Sequence, residues 1–104
     1  MNIGMEAERD GDLEPFWPAY RQADGGVTFR NGVVLTKREC DVLNELQIGK
    51  TNQEIASALR LRPPTIRNRL VRIREKSGLS RVRVAVLWTY VRMSDDGADV
   101  RPGA

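Results

Sequence analysis

Basic side chains are concentrated in one short stretch of this 104-residue chain. Residues 60–83 carry nine arginines and lysines and a single acid, Glu75, which gives this stretch a charge of +8, whereas the whole chain carries +3. Residues 1–29 carry six acids against two arginines. Like charges placed close together repel one another unless a polyanion lies against them. The segregation of charge therefore indicates a basic surface suited to the electrostatic binding of phosphates, preceded by an acidic segment.

Residue types needed for covalent chemistry are scarce. The chain has no histidine and a single cysteine, Cys40, so it lacks the usual general base, an internal disulfide and a Cys/His zinc site. We therefore expect no enzymatic activity, no cofactor and no metal. The longest apolar run, Val84 to Trp88, is too short to span a membrane, and the acidic first residues do not resemble a secretory signal. These features favour a cytoplasmic protein without a membrane partner.

Helix-end signals and apolar spacing predict four helices. Two capping boxes, in which a threonine is followed three residues later by a glutamate, predict where the first two helices begin. Pro63 is expected to be the last residue before the third helix, which then runs over about 64–77, and a fourth helix follows over about 81–93. The capping boxes are Thr36–Glu39 and Thr51–Glu54, and the glycines expected to end the first and third helices are Gly49 and Gly78.

The N-terminal residues have a different composition. Residues 1–26 are rich in glycine and acids, with an aromatic patch at residues 16–20, and Asn31-Gly32 is typical of a hairpin turn. The predicted fold is all-α: a four-helix bundle containing a helix-turn-helix, with a flexible N-terminal arm that includes a short β-hairpin and a disordered C-terminal tail. The corresponding segments are the acidic and aromatic arm 1–34, the helical domain 35–94 and the flexible tail 95–104.

The third predicted helix has one apolar side and several basic ones. At 100° per residue, Ile66, Leu70 and Ile73 form one stripe that faces the core. The remaining surface is a narrow strip between two basic edges, which suits a helix in the major groove of DNA with arginines against both phosphate backbones. The alternative is a solvated basic helix face. The strip consists of Pro64, Asn68 and Val71, and the edges consist of Arg67 and Arg74 on one side and Thr65, Arg69 and Arg72 on the other.

Several spaced motifs across residues 35–93 resemble the LuxR-type (GerE-like) helix-turn-helix domain. The resemblance implies a four-helix bundle whose third helix enters the major groove and whose fourth helix often pairs two subunits. The motifs are Leu35-Thr36-Lys37-Arg38-Glu39, Val42-Leu43, Gly49-Lys50-Thr51-Asn52-Gln53-Glu54-Ile55-Ala56, Leu59-Arg60-Leu61 and Thr65-Ile66-Arg67-Asn68, followed by Ile73, Lys76, Gly78 and Ala85-Val86.

The resemblance implies roles for individual positions. Arg67, Asn68 and Val71 correspond to positions that reach bases. The positions expected to contact phosphates are Thr51, Asn52, Thr65 and Arg69, joined by Arg72 on the basic edge of the helix. The implied function is a sequence-specific double-stranded DNA-binding transcriptional regulator. The alternative is a helix-turn-helix used as a protein-docking module on RNA polymerase or a sigma factor, since the acidic aromatic arm leaves room for contact with the transcription machinery.

The fourth predicted helix has two apolar faces, although a surface helix needs only one for its own core. One face consists of Val82, Val86 and Met93, and the other of Val84, Leu87, Trp88 and Val91. We expect the second face to form a homodimer interface across a two-fold axis. The alternative is that Phe16, Trp17 and Tyr20 cover this face within one chain, in which case deletion of residues 1–26 would cause aggregation.

Overall fold

The computed structural model describes residues 10–95, in which a short 3-10 helix and a small sheet precede four α-helices. The elements in chain order are the 3-10 helix Asp10–Phe16, strands β1 (Ala19–Arg21), β2 (Val27–Phe29) and β3 (Val34–Leu35), and helices α1 (Lys37–Leu46), α2 (Asn52–Leu59), α3 (Pro63–Ser77) and α4 (Arg81–Asp95). The four predicted helices are confirmed. The predicted C-terminal tail lies outside the described residues, apart from the last residue of α4. None of these helices within residues 10–95 has the length and apolarity needed to span a bilayer.

Both predicted capping boxes are formed. The Thr36 side chain accepts a hydrogen bond from the Glu39 N–H, and the Glu39 carboxylate accepts one from the Thr36 N–H. Thr51 and Glu54 make the same exchange at the start of α2. The first N–H groups of a helix have no acceptor within the helix, and each capping box supplies acceptors for two backbone N–H groups at the helix start. The local sequence therefore fixes where α1 and α2 begin.

Helix α3 begins one residue earlier than predicted. Arg62 is its N-cap and is extended (φ −94°, ψ 148°), as expected for a residue that precedes a proline. Pro63 and Pro64 both lie in the first turn, where a missing N–H removes no intrahelical hydrogen bond. The N–H groups of Thr65 and Ile66 both donate to the Arg62 carbonyl, at 3.0 and 3.3 Å. The first turn thus closes on Arg62, which makes Pro63 helical rather than the last residue before the helix.

The strands form an antiparallel sheet in the order β1–β2–β3. Strands β2 and β3 are the predicted hairpin. In its turn, Asn31 Oδ1 accepts a hydrogen bond from the Val33 N–H, and Gly32 has a φ of 93°, which glycine adopts without Cβ strain. Strand β1 was not predicted, and it pairs along the whole of β2. The fold is therefore a helical domain with a small sheet rather than all-α.

Residues 10–35, called the N-terminal layer below, contribute several buried side chains to the core. The prediction of a flexible arm is wrong for the described part of it, because aromatic burial provides enough contact area to order the chain. The Phe16 and Trp17 rings lie against Phe29, with ring centroids 5.3 and 6.3 Å from its centroid. Leu13 and Val27 are completely buried beside them. One hydrophobic cluster connects the layer to all four helices.

The N-terminal layer covers helix α4. Trp17 approaches Tyr90 edge-on, with centroids 6.4 Å apart, and the Arg21 guanidinium lies 5.4 Å from the centre of the Trp88 ring. Trp88 is completely buried, and its indole N–H donates to Asn44 Oδ1 on α1 at 2.7 Å. The inner face of helix α4 is thus covered by the layer and by α1.

Candidate nucleic-acid interface

Helix α3 is oriented as its apolar stripe predicts. Ile66 and Ile73 are buried, with 0% and 1% of their surface exposed, and Leu70 is half-buried against the same core. On the opposite side, Arg67 and Asn68 are exposed and Val71 is 51% exposed. The residues predicted to contact bases therefore lie together on the outer surface of α3.

The turn between α2 and α3 holds the two helices in register. Arg60 follows α2 in the left-handed region, at φ 58° and ψ 45°, which a residue with a Cβ adopts at a cost. The next residue, Leu61, donates its N–H to the Ala56 carbonyl at 2.8 Å, and its side chain packs against the core. The strained residue and the partly buried leucine together fix the direction in which α3 leaves the turn.

A cleft of about 200 Å³ lies between α3, α4 and the start of α2. Its basic groups come from α3 and from the first residue of α4, and its floor is apolar. Arg81 donates to Asn52 Oδ1 at 2.7 Å and to the Lys50 carbonyl at 3.4 Å, so α4 is tied to the start of α2. Sequence analysis did not place Arg81 at this site. This α4-side cleft is lined by Asn52, Arg67, Leu70, Val71, Arg74, Leu79, Arg81 and Val84.

A second groove, of about 390 Å³, lies on the other flank of α3, where that helix faces the start of α1. Its lining brings together three of the residues predicted to contact phosphates and adds two basic residues that sequence analysis did not assign to the site, Arg38 and Lys76. Glu39, the buried acid of the groove, accepts a hydrogen bond from Lys76 Nζ at 2.7 Å. This α1-side groove is lined by Thr36, Arg38, Glu39, Thr65, Asn68, Arg69, Arg72 and Lys76.

Within the described residues, the positive charge on α3 is largely uncompensated. In the part of the chain that the structure describes, Lys76 is the α3 cation that pairs with a carboxylate, and its partner is Glu39. The four arginines of α3, at positions 67, 69, 72 and 74, make no such pair within residues 10–95. Guanidinium groups stay protonated throughout the physiological range. The two flanks of α3 therefore present fixed positive charge on either side of the exposed strip.

The predicted phosphate contacts at the start of α2 are partly engaged within the chain. Thr51 gives its N–H to the Glu54 carboxylate, at 2.9 Å, and its Oγ1 accepts from the Glu54 N–H, at 3.2 Å. These hydrogen bonds from Thr51 hold the pKa of Glu54 below its ordinary value. The Thr51 side chain is therefore engaged with Glu54, whereas Asn52, whose carbonyl oxygen accepts from Arg81, keeps its side-chain amide donors.

The residues predicted to form the dimer interface lie inside the chain's own core. Val84, Leu87, Trp88 and Val91 are each at most 3% exposed. The premise that they form a surplus surface patch is wrong, because the N-terminal layer and α1 cover this face of α4. Trp17 of the predicted aromatic cover contacts α4 through Tyr90, whereas Tyr20 is 54% exposed. On the outer face of α4, Val82 is 68% exposed and Met93 is 44% exposed.

The cysteine thiol does not resemble a catalytic group. Cys40 is buried, and this burial raises the pKa of its thiol to about 11. A thiol with so high a pKa is almost entirely protonated at neutral pH and therefore a poor nucleophile. Cys40 acts as a small core residue in α1, next to Glu39 of the capping box.

Comparison with known proteins identifies the domain that carries this surface. Residues 33–89 match the family model of bacterial regulatory proteins, luxR family (GerE), and this match spans all of α1, α2 and α3 and most of α4. No match was found among curated proteins or among solved structures. With its helix-turn-helix formed by α2 and α3, this chain belongs to the luxR family of bacterial regulatory proteins, whose domain is that of DNA-binding transcription regulators.

Proposed function

We propose that this protein regulates transcription by binding a specific double-stranded DNA site, with α3 in the major groove. Arg67, Asn68 and Val71 contact base edges. Arginine is suited to the guanine O6 and N7 acceptors, asparagine to the adenine N6 and N7 groups, and an apolar side chain to the thymine methyl. The observation that carries the proposal is the exposed position of these three side chains between two basic flanks of α3.

The two flanks of α3 contact the two phosphate backbones that border the major groove. Contacts to the backbone fix the register of a protein on DNA but do not themselves select a sequence. On the α4 side, Thr51 and Asn52 lie at the start of α2, where the amides and the helix dipole attract anions. On the α1 side, the backbone contacts are Thr65, Arg69 and Arg72, which line one groove.

Two subunits pair through the outer face of α4. This face carries Val82 and Met93, with the half-buried Val86 on the same side of the helix. Gln47, in the loop before α2, lines the same surface as Val82 and Val86. The next residue, Ile48, is 61% exposed and adds apolar area beside that surface. An exposed apolar surface of this kind favours association with a second copy. Pairing through this face leaves the buried face of α4 undisturbed.

Selection of bound duplexes from a random pool tests the DNA-binding proposal. We expect an enriched sequence with two related half-sites. Against that site, Arg67→Ala should lose about 1–3 kcal/mol of discrimination at one base pair, whereas Arg72→Ala should weaken all duplexes about equally. If Arg67→Ala also weakens all duplexes equally, Arg67 contacts only the backbone. Affinity weaker than millimolar for every duplex at low salt would instead favour the protein-docking alternative.

Sedimentation velocity tests the pairing surface. Val82→Asp places a charge on the outer face of α4 and should shift the protein to monomers. Val34→Asp is the matched control because Val34 is 50% exposed on β3, away from this face, and we expect it to leave the oligomeric state unchanged. A wild-type protein that remains monomeric both free and on a two-half-site duplex would rule out this dimer.

A further inference from the structure

The α1-side groove contains an element outside the helix-turn-helix. Its far wall is the first turn of α1, which contributes Thr36 and Arg38, while α3 contributes Arg69 and Arg72 from the opposite side. The first turn of α1 therefore shares one groove with side chains that the proposed function assigns to the phosphate backbone.

The charges of this groove are unevenly compensated. Glu39 Oε1 accepts hydrogen bonds from the Thr36 N–H, at 2.8 Å, and from Lys76 Nζ, at 2.7 Å. Glu39 is only 3% exposed, so its carboxylate interacts with the Thr36 N–H and with Lys76 rather than with the arginines of the groove. Arg38, Arg69 and Arg72 form no ion pair with a carboxylate within the described residues. The groove thus contains three uncompensated guanidinium groups contributed by two helices.

We propose that the first turn of α1 is a third DNA-contacting element, in which Arg38 donates to a phosphodiester of the duplex bound by α3. This proposal rests on the proposed function and adds a contact to it. The Thr36 Oγ1 accepts from the Glu39 N–H, which leaves the hydroxyl proton for the same phosphate. The Lys76–Glu39 pair joins α3 to α1 and holds the two walls of the groove in place. Lys76 is a positioning residue, because its charge is already paired.

The chain provides a closely matched control for Arg38. Lys37 precedes it, carries the same charge and is exposed in the same turn, but it does not line the groove and pairs instead with Asp41 at 3.1 Å. Arg38→Gln and Lys37→Gln therefore change the net charge and the first turn of α1 equally. Only Arg38→Gln removes a group from the groove.

Salt titration of duplex binding by the full chain tests the proposal. On a duplex with a single half-site bound by one subunit, the slope of log K against log salt should be shallower by about 0.9 in Arg38→Gln, because one fewer phosphate is neutralised. If wild type and Arg38→Gln have equal affinities at about 1 M salt, this change in slope makes the variant bind roughly eightfold more weakly at about 0.1 M salt. Lys37→Gln should retain the wild-type slope. Equal slopes for the two variants would overturn the proposal while leaving wild-type DNA binding intact, whereas a wild type that binds no duplex would overturn the proposed function itself.

A second measurement separates direct contact from long-range charge. A series of duplexes carries one neutral methylphosphonate at successive positions. The wild type and Lys37→Gln should both lose affinity at the position that faces Arg38, and Arg38→Gln should lose none there. If Arg38→Gln remains as sensitive as the wild type at every position, Arg38 makes no contact and the proposal fails.

Discussion

Replacing Phe29 with alanine tests whether the N-terminal layer and the helices form one cooperative core. Phe29 is 1% exposed and contacts the rings of Phe16 and Trp17. A buried aromatic side chain removes about 150–250 Å² from water, which corresponds to ~4–6 kcal/mol at about 25 cal/mol per Å². This figure is a ceiling, because an extended reference chain overstates the area buried on folding. We therefore expect a loss of about 3–5 kcal/mol, the usual range for Phe→Ala in a core.

Such a loss is a large fraction of the total stability. At roughly 0.05–0.15 kcal/mol per residue, the described part of this chain is stabilised by only about 4–13 kcal/mol. The melting temperature should fall by at least about 12 °C, since 1 kcal/mol corresponds to about 4–8 °C in a domain of this size. Urea unfolding followed by circular dichroism gives the free energy, and an unchanged slope in urea would show that the same surface unfolds. Tyr20→Ala is the control, because Tyr20 lies in the same sheet but is 54% exposed.

Tryptophan fluorescence makes the test more specific. In a Trp88→Phe background, Trp17 remains as the tryptophan and reports on the N-terminal layer, while circular dichroism of the same sample reports on the helices. A single cooperative core requires the two transitions to coincide. If the Trp17 signal changes at lower urea than the helical signal, or if Phe29→Ala costs no more than Tyr20→Ala, the layer is a separate unit and this reasoning is refuted.

Three further predictions concern hydrogen bonds and backbone conformation. Asn44→Ala should cost about 1–3 kcal/mol in urea unfolding, because it leaves the buried Trp88 indole N–H without its acceptor. The stability difference between wild type and Glu54→Gln should shrink in acid. The hydrogen bonds from Thr51 lower the pKa of Glu54 in the folded state. The stability that the Glu54 carboxylate contributes is therefore complete above its ordinary pKa of 4.5 and is lost as the pH falls through the folded-state pKa. Arg60→Gly should be about 1 kcal/mol more stable than Arg60→Ala, because position 60 has a φ of 58°.

Each of these predictions has an internal comparison. In a Trp88→Phe background the indole donor is gone, so Asn44→Ala should cost much less there, and an equal cost would show that the hydrogen bond is not the cause. Thermal melts between about pH 7 and pH 3 test Glu54, and a constant difference from Glu54→Gln would contradict the pKa argument. Equal stability of the glycine and alanine variants at position 60 would show that the left-handed conformation is not maintained in solution.

Sequence analysis was most successful where structure is determined locally. The Thr36–Glu39 and Thr51–Glu54 capping boxes specify helix starts through hydrogen bonds between residues three apart, and a sequence contains that information directly. The orientation of α3 was also predictable, because Ile66 and Ile73 recur at helical spacing. The DNA contacts assigned to its outer strip stay predictions.

The N-terminal layer could not be predicted because its order depends on distant contacts. Its strands have only two or three residues each, and its acidic composition is typical of unstructured segments. Helix α4 presented a related problem: periodicity revealed two apolar faces but could not identify which one another part of the chain covers. Arg38 was missed for the same reason, because only the packing of α1 against α3 places it beside Arg69 and Arg72.

The buried contacts made by residues 10–35 have a practical consequence for transplanting this DNA-binding unit into a fusion protein. Trimming the chain to the family match, residues 33–89, would remove six of the eighteen buried apolar side chains found in the described residues, namely Leu13, Phe16, Trp17, Val27, Phe29 and Val91. Loss of the layer would expose the face of α4 that contains Trp88, and this exposed apolar surface would favour aggregation over DNA binding. A chimera that is meant to fold should carry at least residues 10–95, and its junctions belong outside those limits.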